Sequence, residues 1–265
     1  MKIGFSVLKK PVEECFEYAA KNKFTNLEID LYNKYNFLDS FTGKRINAVK
    51  SLAKKYKIEL SLHLPYTLNL AEKVAMIRKA NIDYAIKAIK LAKKLGAKFI
   101  VMHTGYLVYP RKEDIDKKTS LKNLIYSIKI ILRYCKRYNM AIALENSGRN
   151  EGGLFKTGVS VDDFRFILEN TKSKYVNMCL DVGHANLVEG AEAYIEEFSK
   201  KIISLHVHDN KGKRDEHAQI GKGSIKWKSL FEKMKQKNFN GVIIFEIFDD
   251  NLAESKKILE KLYIQ

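Results

Sequence analysis

Cysteine, proline and tryptophan are scarce in this sequence, which contains three, three and one of them among 265 residues. The cysteines, Cys15, Cys135 and Cys179, lie in apolar periodic segments and show no CxxC spacing. An odd, scattered set excludes a disulfide framework and is typical of a reducing compartment. The opening MKIGFSV has no signal-peptide core, and no apolar run approaches the length of a membrane span. We therefore expect a soluble, cytoplasmic protein that does not associate with membranes.

Nucleotide-binding motifs and interdomain linkers are lacking as well. The first predicted strand continues into FSVLKKP, which contains no GxGxxG fingerprint, so a dinucleotide-binding sheet is disfavoured. No tract rich in Pro, Gly or Ser divides the chain. A hydrophobic content of 46% over this length is sufficient for one large core. Residues 1–265 are accordingly predicted to form one domain.

Acidic residues are outnumbered by basic ones, 31 against 48, which gives a formal net charge of +17. Such an excess raises the possibility of a polyanionic partner such as nucleic acid, or of a phosphorylated substrate. Most of the basic residues are lysines spread over predicted helices, and no basic run is interleaved with aromatic residues. This distribution is typical of solvated helix faces and gives weak support for a nucleic-acid groove.

Short apolar runs alternate with longer amphipathic segments about eight times. The predicted strands are residues 2–6, 26–30, 58–63, 98–103, 140–145, 176–181, 202–208 and 241–247. The predicted helices are residues 11–22, 44–56, 72–95, 119–138, 160–170, 190–200, 227–237 and 252–263. Repeated βα units indicate a parallel sheet, and eight of them in one domain favour a closed (β/α)8 TIM barrel over an open doubly wound sheet.

Six consecutive predicted strands end in residues that can bind a metal. These residues are His63, His103, Glu145, Asp181, His206 and Glu246. Because active sites of TIM barrels lie at the C-terminal ends of the strands, we expect these side chains to surround one mouth. Glu145 and Glu246 end nearly apolar runs, where a carboxylate is costly unless a cation or donor compensates it. A single strand-end histidine is more often structural, so the carboxylates are the stronger signal.

Two further pairs extend the candidate metal site. His184 follows Asp181 in LDVGHAN, where Gly183 permits a tight turn that lets both side chains converge. Asp215 and His217 lie two residues apart in an extended loop and can face the same side. Imidazole and carboxylate groups at this density predict a divalent-metal site. The alternative is a polar surface loop that contains three of the six histidines.

These residues lie in stretches that resemble the xylose isomerase-like TIM-barrel superfamily. The stretches are HLPYTLNLAE at 63–72, VMHTG at 101–105, ALEN at 143–146, LDVGHAN at 180–186, HVHDN and DEHAQIGKGSIKW within 206–227, and FEIF at 245–248. The superfamily contains sugar and sugar-phosphate isomerases and epimerases as well as the endonuclease IV enzymes. The resemblance spans residues 58 to 248 in the expected order.

The two branches of the superfamily imply different sites. Endonuclease IV implies a three-zinc site that hydrolyses phosphodiesters at apurinic positions in DNA, with the ligands His63, His103, Glu145, Asp181, His184, His206, Asp215, His217 and Glu246. The isomerase branch implies one divalent ion, such as Mn, Co or Mg, held by Glu145, Asp181, His206 and Glu246. In that branch the ion would chelate the carbonyl and the adjacent hydroxyl of a sugar.

Departures from the nuclease pattern favour the isomerase branch. The segment LYNKYNFLDSFTG at 31–43 lacks the Arg and Trp that the nucleases insert into DNA. Tyr66 matches a DNA-inserting tyrosine, but Thr67 stands where the nucleases have a bulky apolar wedge. DVGH at 181–184 and GKGSIKW at 221–227, which ends in Trp227 at the start of a predicted helix, resemble the isomerases, whereas the nucleases have DTCH at the former position.

The sequence therefore predicts a divalent-metal-dependent sugar or sugar-phosphate isomerase or epimerase that works through a metal-stabilised enediolate. Glu145 and Glu246 are the expected acid and base, and His184 is a further catalytic candidate. The predicted substrate-binding residues are Tyr66, Asn69, Lys213, Arg214 and Trp227, although the basic pair also fits a solvated charge run. The alternative function is that of an endonuclease IV-like apurinic-site endonuclease, and a metal-stabilised binding protein is a third hypothesis.

Overall fold

A closed barrel of parallel strands forms the centre of the computed structural model, which describes residues 1–108, 113–150, 153–248 and 251–264. The strands are β1 (Lys2–Val7), β2 (Asn26–Asp30), β3 (Glu59–His63), β4 (Phe99–His103), β5 (Tyr106–Val108), β6 (Ala141–Glu145), β7 (Leu154–Lys156), β8 (Val176–Asp181), β9 (Ile202–Val207) and β10 (Val242–Phe245). The barrel order is β1, β2, β3, β4, β6, β8, β9 and β10, which pairs again with β1. The prediction of a (β/α)8 TIM barrel is confirmed.

Helices pack around the outside of the barrel. They are α1 (Phe16–Lys21), α2 (Gly43–Tyr56), α3 (Ala75–Leu95), α4 (Glu113–Tyr138), α5 (Val161–Thr171), α6 (Val182–Asn186), α7 (Ala191–Phe198), α8 (Trp227–Gln236) and α9 (Leu252–Ile264). The predicted end of the third long helix is confirmed at Gly96, whose φ of 76° closes the helix in the left-handed region. Within the described ranges, no helix is both long and apolar enough to cross a membrane.

Helix α6 was not predicted from the sequence. It contains five residues directly after β8, too few to show a helical period. Its first turn is held by Asp181, whose side chain accepts a hydrogen bond from the backbone N–H of His184. The residue that ends β8 is thus also the N-cap of the next helix, which fixes the direction in which its carboxylate points.

The barrel interior changes from apolar to polar toward the C-terminal ends of the strands. An apolar cluster of Phe99, Val101, Ala143, Cys179, Val242 and Ile244 fills the lower interior. Because side chains alternate along a strand, the residues two positions beyond Val101, Ala143, Cys179 and Ile244 also face inward. Those residues are His103, Glu145, Asp181 and Glu246. The alternation that directs these apolar side chains into the barrel therefore directs the candidate ligands into it as well, closer to the C-terminal ends of the strands.

The strand register brings these residues side by side. His103 pairs with Glu145 across β4 and β6, and Asp181 pairs with His206 across β8 and β9. Neighbouring strands are about 4.8 Å apart, so inward side chains at paired positions necessarily meet. The barrel is thus the element that positions the candidate site.

Two loops at the mouth form an antiparallel pair that was not predicted. Strands β5 and β7 follow β4 and β6, and Tyr106 pairs with Lys156 across them. The backbone N–H of Thr157 donates to the carbonyl of Gly105 at 2.9 Å, which ties the bases of the two loops together. Each strand has only three residues, and their pairing joins loops nearly fifty residues apart in sequence, so no local pattern reveals it.

The loop between β9 and α8 is organised by one buried carboxylate. Asp209 is fully buried and accepts hydrogen bonds from the backbone N–H of Asn210 at 2.9 Å and of Gly221 at 2.8 Å. The indole Nε1–H of Trp227 donates to the same carboxylate at 2.9 Å. Trp227 itself is buried against Phe231. The single tryptophan therefore anchors the loop that carries Asp215 and His217.

Replacing Trp227 by Phe should lower the free energy of unfolding by about 1–3 kcal/mol, because it leaves a buried carboxylate without one of its donors. The midpoint of urea denaturation measures this change, and Lys222→Ala in the same loop, at an exposed position, serves as the control. Equal stability of the Trp227→Phe variant and the parent would contradict this role of the indole.

Candidate metal centre

The mouth of the barrel gathers four groups of potential metal ligands. In each group the ligand atoms all lie within 4.8 Å of one another. The groups are His63, His103 and Glu145; Glu145, Asp181, His206 and Glu246; His63, His206 and Glu246; and His184, His208, Asp215 and His217. All nine residues predicted as metal ligands occur in these groups, together with His208, which was not among them.

Glu145 lies between two of the groups. Its Oε2 is 3.0 Å from His63 Nε2 and 3.5 Å from His103 Nε2, and its Oε1 is 3.4 Å from His206 Nδ1. The carboxylate is fully buried at the end of β6. One oxygen therefore faces the His63 and His103 side and the other faces His206, an arrangement in which one carboxylate can serve two neighbouring ions.

The group of Glu145, Asp181, His206 and Glu246 (the central group) has the character of a cation site. His206 Nδ1 lies 3.3 Å from Glu246 Oε1 and is itself fully buried. Within the described part of the chain, Glu145 Oε1, Asp181 Oδ2 and His206 Nδ1 are buried and have no hydrogen-bond partner. Buried polar atoms without partners are costly. A divalent cation would supply the missing partner, and three carboxylates with one imidazole suit such an ion.

In the group around Asp215 (the outer group), backbone carbonyls fix two of the three imidazoles, those of His184 and His217. His184 Nδ1 donates to the carbonyl of Asn146 at 2.9 Å, and His217 Nδ1 donates to the carbonyl of Glu246 at 2.6 Å. The Nε2 atoms then face Asp215 Oδ2 at 3.1 and 3.2 Å. Hydrogen bonds of this kind set the tautomer and orientation of metal-binding histidines. The residues of the outer group therefore fit a metal as well.

Protons and carboxylate charges balance one another in this cluster. Burial lowers the pKa of His63, but its hydrogen bond to Glu145 outweighs that effect and raises the pKa to about 10. Burial likewise lowers the pKa of His184 and His217, but Asp181 and Asp215 raise that of His184 to about 10, and Asp215 raises that of His217 to about 9. Burial dominates at His103, whose pKa falls to about 4.

The carboxylates respond in the opposite direction. Burial raises the pKa of Glu246, but the positive charge of the neighbouring His206 imidazole holds that pKa well below its usual range. Burial opposes ionisation of Asp215 too, yet its hydrogen bonds with His184 and His217 lower its pKa far below the usual value. The ionised carboxylates thus lie beside the protonated imidazoles of His63, His184 and His217, and a bound cation would take the place of those protons.

A cavity of about 670 Å³ opens above the cluster. Among the residues lining it are His63, His103, Glu145, His184, Asp215, His217 and Glu246. Its upper wall contains the aromatic residues Tyr32, Tyr66, Tyr106 and Phe248, and Lys156 of β7 lines it from the loop pair. The rings of Tyr32 and Tyr66 meet edge to face at 4.7 Å, and Phe248 stacks on His217 at 4.5 Å. The cavity therefore has the candidate metal ligands at its base and aromatic side chains around its opening (the aromatic rim).

A family model described as the xylose isomerase-like TIM barrel matches residues 16–263. The chain belongs to this family. The sequence is 31% identical over 267 residues to an uncharacterised protein of Methanocaldococcus jannaschii, covering 99% of this chain and 98% of that protein. It is 29% identical over 238 residues to a probable endonuclease 4 of Mycoplasma mycoides subsp. mycoides SC, covering 83% and 74% of the two chains.

Among solved structures, a D-tagatose 3-epimerase-like protein superposes with a TM-score of 0.88 at 29% identity, covering 99% of this chain and 97% of that one. The chain is therefore similar to proteins named after each of the two branches weighed from the sequence. The resemblance drawn from the sequence is confirmed at the level of the family.

Of the predicted substrate-binding residues, Tyr66 lines the cavity and has 57% of its surface exposed. The other four are placed elsewhere. Asn69 is buried and donates to the carbonyl of Tyr106 at 2.7 Å, so it holds a wall residue in place. Lys213 and Arg214 are exposed and do not line the cavity. Trp227 lies in the core, where its indole is bonded to Asp209.

Several residues at the site were not found from the sequence. Glu28 of β2 is fully buried, lies 2.9 Å from His206 Nε2, and accepts a hydrogen bond from Ser61 Oγ at 2.9 Å. Asp30, on the same strand, lines the cavity. The strand NLEID alternates apolar and polar residues, and this alternation contains the signal, because it directs Glu28 and Asp30 into the barrel.

Metal binding at pH 7 should release about one to four protons per chain, because the ring nitrogen of a ligand imidazole must be deprotonated. One proton is expected for each ligand among His63, His184, His206 and His217. Burial lowers the pKa of His206, but neighbouring acidic groups raise it well above its ordinary value, and the pKa values of the other three lie at about 9 to 10, so metal affinity should rise with pH up to that range. Calorimetric titration with Zn²⁺ in buffers of different ionisation enthalpy measures the release. Binding at pH 7 without proton release would refute this charge balance.

Proposed function

We propose that this protein is a divalent-metal-dependent isomerase or epimerase of a small sugar or sugar phosphate. The observation that carries the proposal is the central group of Glu145, Asp181, His206 and Glu246, of which Glu145 and Glu246 line a cavity of about 670 Å³. Cavities of this size are typical of sites for small molecules. The 29% identity to a D-tagatose 3-epimerase-like protein over almost the whole chain supports the same class of reaction.

The chemistry requires removal of a proton beside a carbonyl group. A divalent ion held by the central group would polarise that carbonyl and stabilise the charge that develops on its oxygen. Glu246 borders the cavity with 8% of its surface exposed, whereas Glu145 is fully buried and faces three histidines. We therefore assign proton abstraction to Glu246 and a role mainly in binding the ion to Glu145. His184 and Asp215 both line the cavity, and His184 Nε2 lies 3.1 Å from Asp215 Oδ2. We assign to His184 the exchange of a proton with a substrate hydroxyl.

The cavity walls fit a carbohydrate. Tyr32, Tyr66 and Phe248 present ring faces and edges to the opening, and apolar ring faces pack well against the C–H faces of a sugar. Residues of the β5 and β7 pair, among them Tyr106, Val108 and Leu154, line one side of the cavity. Lys156, on β7, lines the same cavity and supplies a cation for a substrate phosphate.

A second candidate function is phosphodiester hydrolysis of the endonuclease IV type. It is favoured by one observation, that all nine ligands implied by that resemblance lie in clustered groups at the mouth. The relatives named as probable endonuclease 4 support it too. Against it, the loop at 31–43 presents Tyr32, Tyr35 and Phe37 as exposed aromatic side chains and contains no arginine or tryptophan for contact with DNA.

Replacing Glu145 by Gln should reduce metal affinity and turnover by more than about 100-fold, because changes at residues that only support a ligand already cost 10–100-fold. Metal analysis of purified protein and an assay on a panel of ketoses and their phosphates measure the two effects. Far-ultraviolet circular dichroism checks that the barrel remains folded. Turnover near that of the parent would show that the central group is not the site of reaction.

His103→Ala separates the two candidate functions. His103 belongs to the group with His63 and Glu145 and not to the central group. Under the isomerase proposal, the variant should retain one metal and lose at most about 10–100-fold in sugar turnover. Under the nuclease alternative, zinc content and incision of an abasic duplex should fall together, because three ions would share the reaction.

The two assays must be run side by side on the parent and on His103→Ala. Sugar interconversion by the parent, with no incision of the abasic duplex, would support the proposal. Metal-dependent incision by the parent, lost with bound zinc in His103→Ala and accompanied by no sugar turnover, would replace the proposal by the nuclease function.

A further inference from the structure

His208 is the one histidine of the six that the sequence interpretation left without a role. It follows β9 directly and is fully buried beneath the candidate metal centre. Its Nε2 lies 3.2 Å from Asp181 Oδ1, within hydrogen-bonding distance, whereas Asp215 Oδ1 is 3.5 Å away. His208 is therefore the member of the outer group that also contacts the central group, through Asp181.

The rings of His208 and His217 are stacked, with centroids 4.0 Å apart and an angle of 13° between their planes. An imidazole binds a metal through a lone pair in the plane of its ring, at about 2.0–2.1 Å for zinc. One ion cannot lie in two nearly parallel planes at that separation. Because His217 Nε2 already faces Asp215, His217 is the ligand of this pair, and His208 is not arranged to bind the same ion.

Asp181 shows what His208 does instead. Asp181 Oδ1 accepts hydrogen bonds from the backbone N–H of His184 at 2.6 Å and from His208 Nε2 at 3.2 Å. Its other oxygen, Oδ2, is buried and has no hydrogen-bond partner in the described part of the chain. Two donors thus hold one oxygen, and the second is left for an ion.

We propose that His208 is a positioning residue that donates from Nε2 to Asp181 Oδ1, so that Asp181 binds the ion of the central group through Oδ2. The proposal rests on metal binding by the central group, which is part of the proposed function, and does not depend on which reaction the protein catalyses. Such supporting hydrogen bonds orient ligands and typically change metal affinity by about 10–100-fold.

Gly183 is the residue that makes room for His208. A Cβ atom at position 183 would lie 2.0 Å from His208 Cε1 and 2.4 Å from its Nε2, far inside van der Waals contact. A side chain at 183 and the present position of the His208 ring therefore exclude each other. The DVGH and HVHD motifs, some twenty-five residues apart, are linked by this contact. The DTCH pattern of the nucleases, with a cysteine at this position, is incompatible with His208 as it lies here.

The first test compares His208→Gln with His208→Leu. Glutamine places an N–H donor at about the reach of Nε2, whereas leucine fills similar space without a donor. The affinity of the tightest Co²⁺ site is measured by competition with a chelator, and its visible absorption reports the coordination of the ion. We expect a loss of about 10–100-fold for His208→Leu and a much smaller loss for His208→Gln, with unchanged metal stoichiometry.

Three outcomes would overturn the proposal. Parental Co²⁺ affinity in His208→Leu would show that the hydrogen bond does not matter. An equal loss in both variants would show that the donor is not the relevant feature. Loss of one bound ion per chain in both would make His208 a ligand. None of these readouts uses sugar turnover or DNA cleavage, so failure of the proposed reaction is recognised separately.

The second test examines the contact with Gly183. Gly183→Ala should weaken Co²⁺ binding as His208→Leu does, because the new methyl group displaces the ring from Asp181. In a His208→Ala background the same substitution should cause no further loss, since the ring is gone. Additive losses in the double variant, or no loss in Gly183→Ala alone, would contradict the geometry on which the proposal depends.

Discussion

The carboxylate of Glu145, fully buried at the end of β6, imposes the constraint on which the rest of the mouth depends. An isolated charge in that position would be prohibitively unfavourable, so the surrounding strands must supply positive charge. Protonated His63 and His206 supply it from β3 and β9, at 3.0 and 3.4 Å, whereas His103 on β4 lies 3.5 Å away as a neutral ring. Because these strands are fixed by the closed barrel, the ligands are held in place before any ion or substrate arrives.

The short distances around Glu145 also mean that two imidazoles compete for one of its carboxylate oxygens. His63 and His103 both face Glu145 Oε2, yet the pKa of His63 is raised to about 10, whereas burial lowers that of His103 to about 4. Two protonated rings beside one oxygen would repel each other, so only one of them carries the proton. An ion in this position would relieve the conflict, because both rings could then bind it in the neutral form. The electrostatics of the metal-free cluster thus favour exchange of protons for metal.

The residues at the strand ends are compatible with both branches weighed for this chain. All nine ligands implied by the resemblance to endonuclease IV cluster there, and four of them form the central group implied by the isomerase branch. The walls of the cavity come largely from loops, whose sequences can change without disturbing the strands. Here the aromatic rim of Tyr32, Tyr66 and Phe248 and the pairing of β5 with β7 form a confined cavity. The close approach of His208 to Gly183 adds a further constraint at the strand ends, because a side chain at position 183 would displace the ring.

The sequence alone determined the barrel and the nine clustered ligand candidates. Strand and helix periods are local properties, and the last inward residue of a parallel strand must face the mouth, so His103, Glu145 and Glu246 could be named before any coordinates. Tertiary structure alone decided what lies across the barrel or between distant loops. The ion pair of Glu28 with His206, the hydrogen bond of His208 with Asp181 and the β5 and β7 pair join residues about 27 to 178 positions apart, which leave no common pattern along the chain. Trp227 illustrates the same point. Its position at the start of α8 predicted a substrate-binding residue at the mouth of the barrel, whereas the structure buries its indole in a hydrogen bond to Asp209.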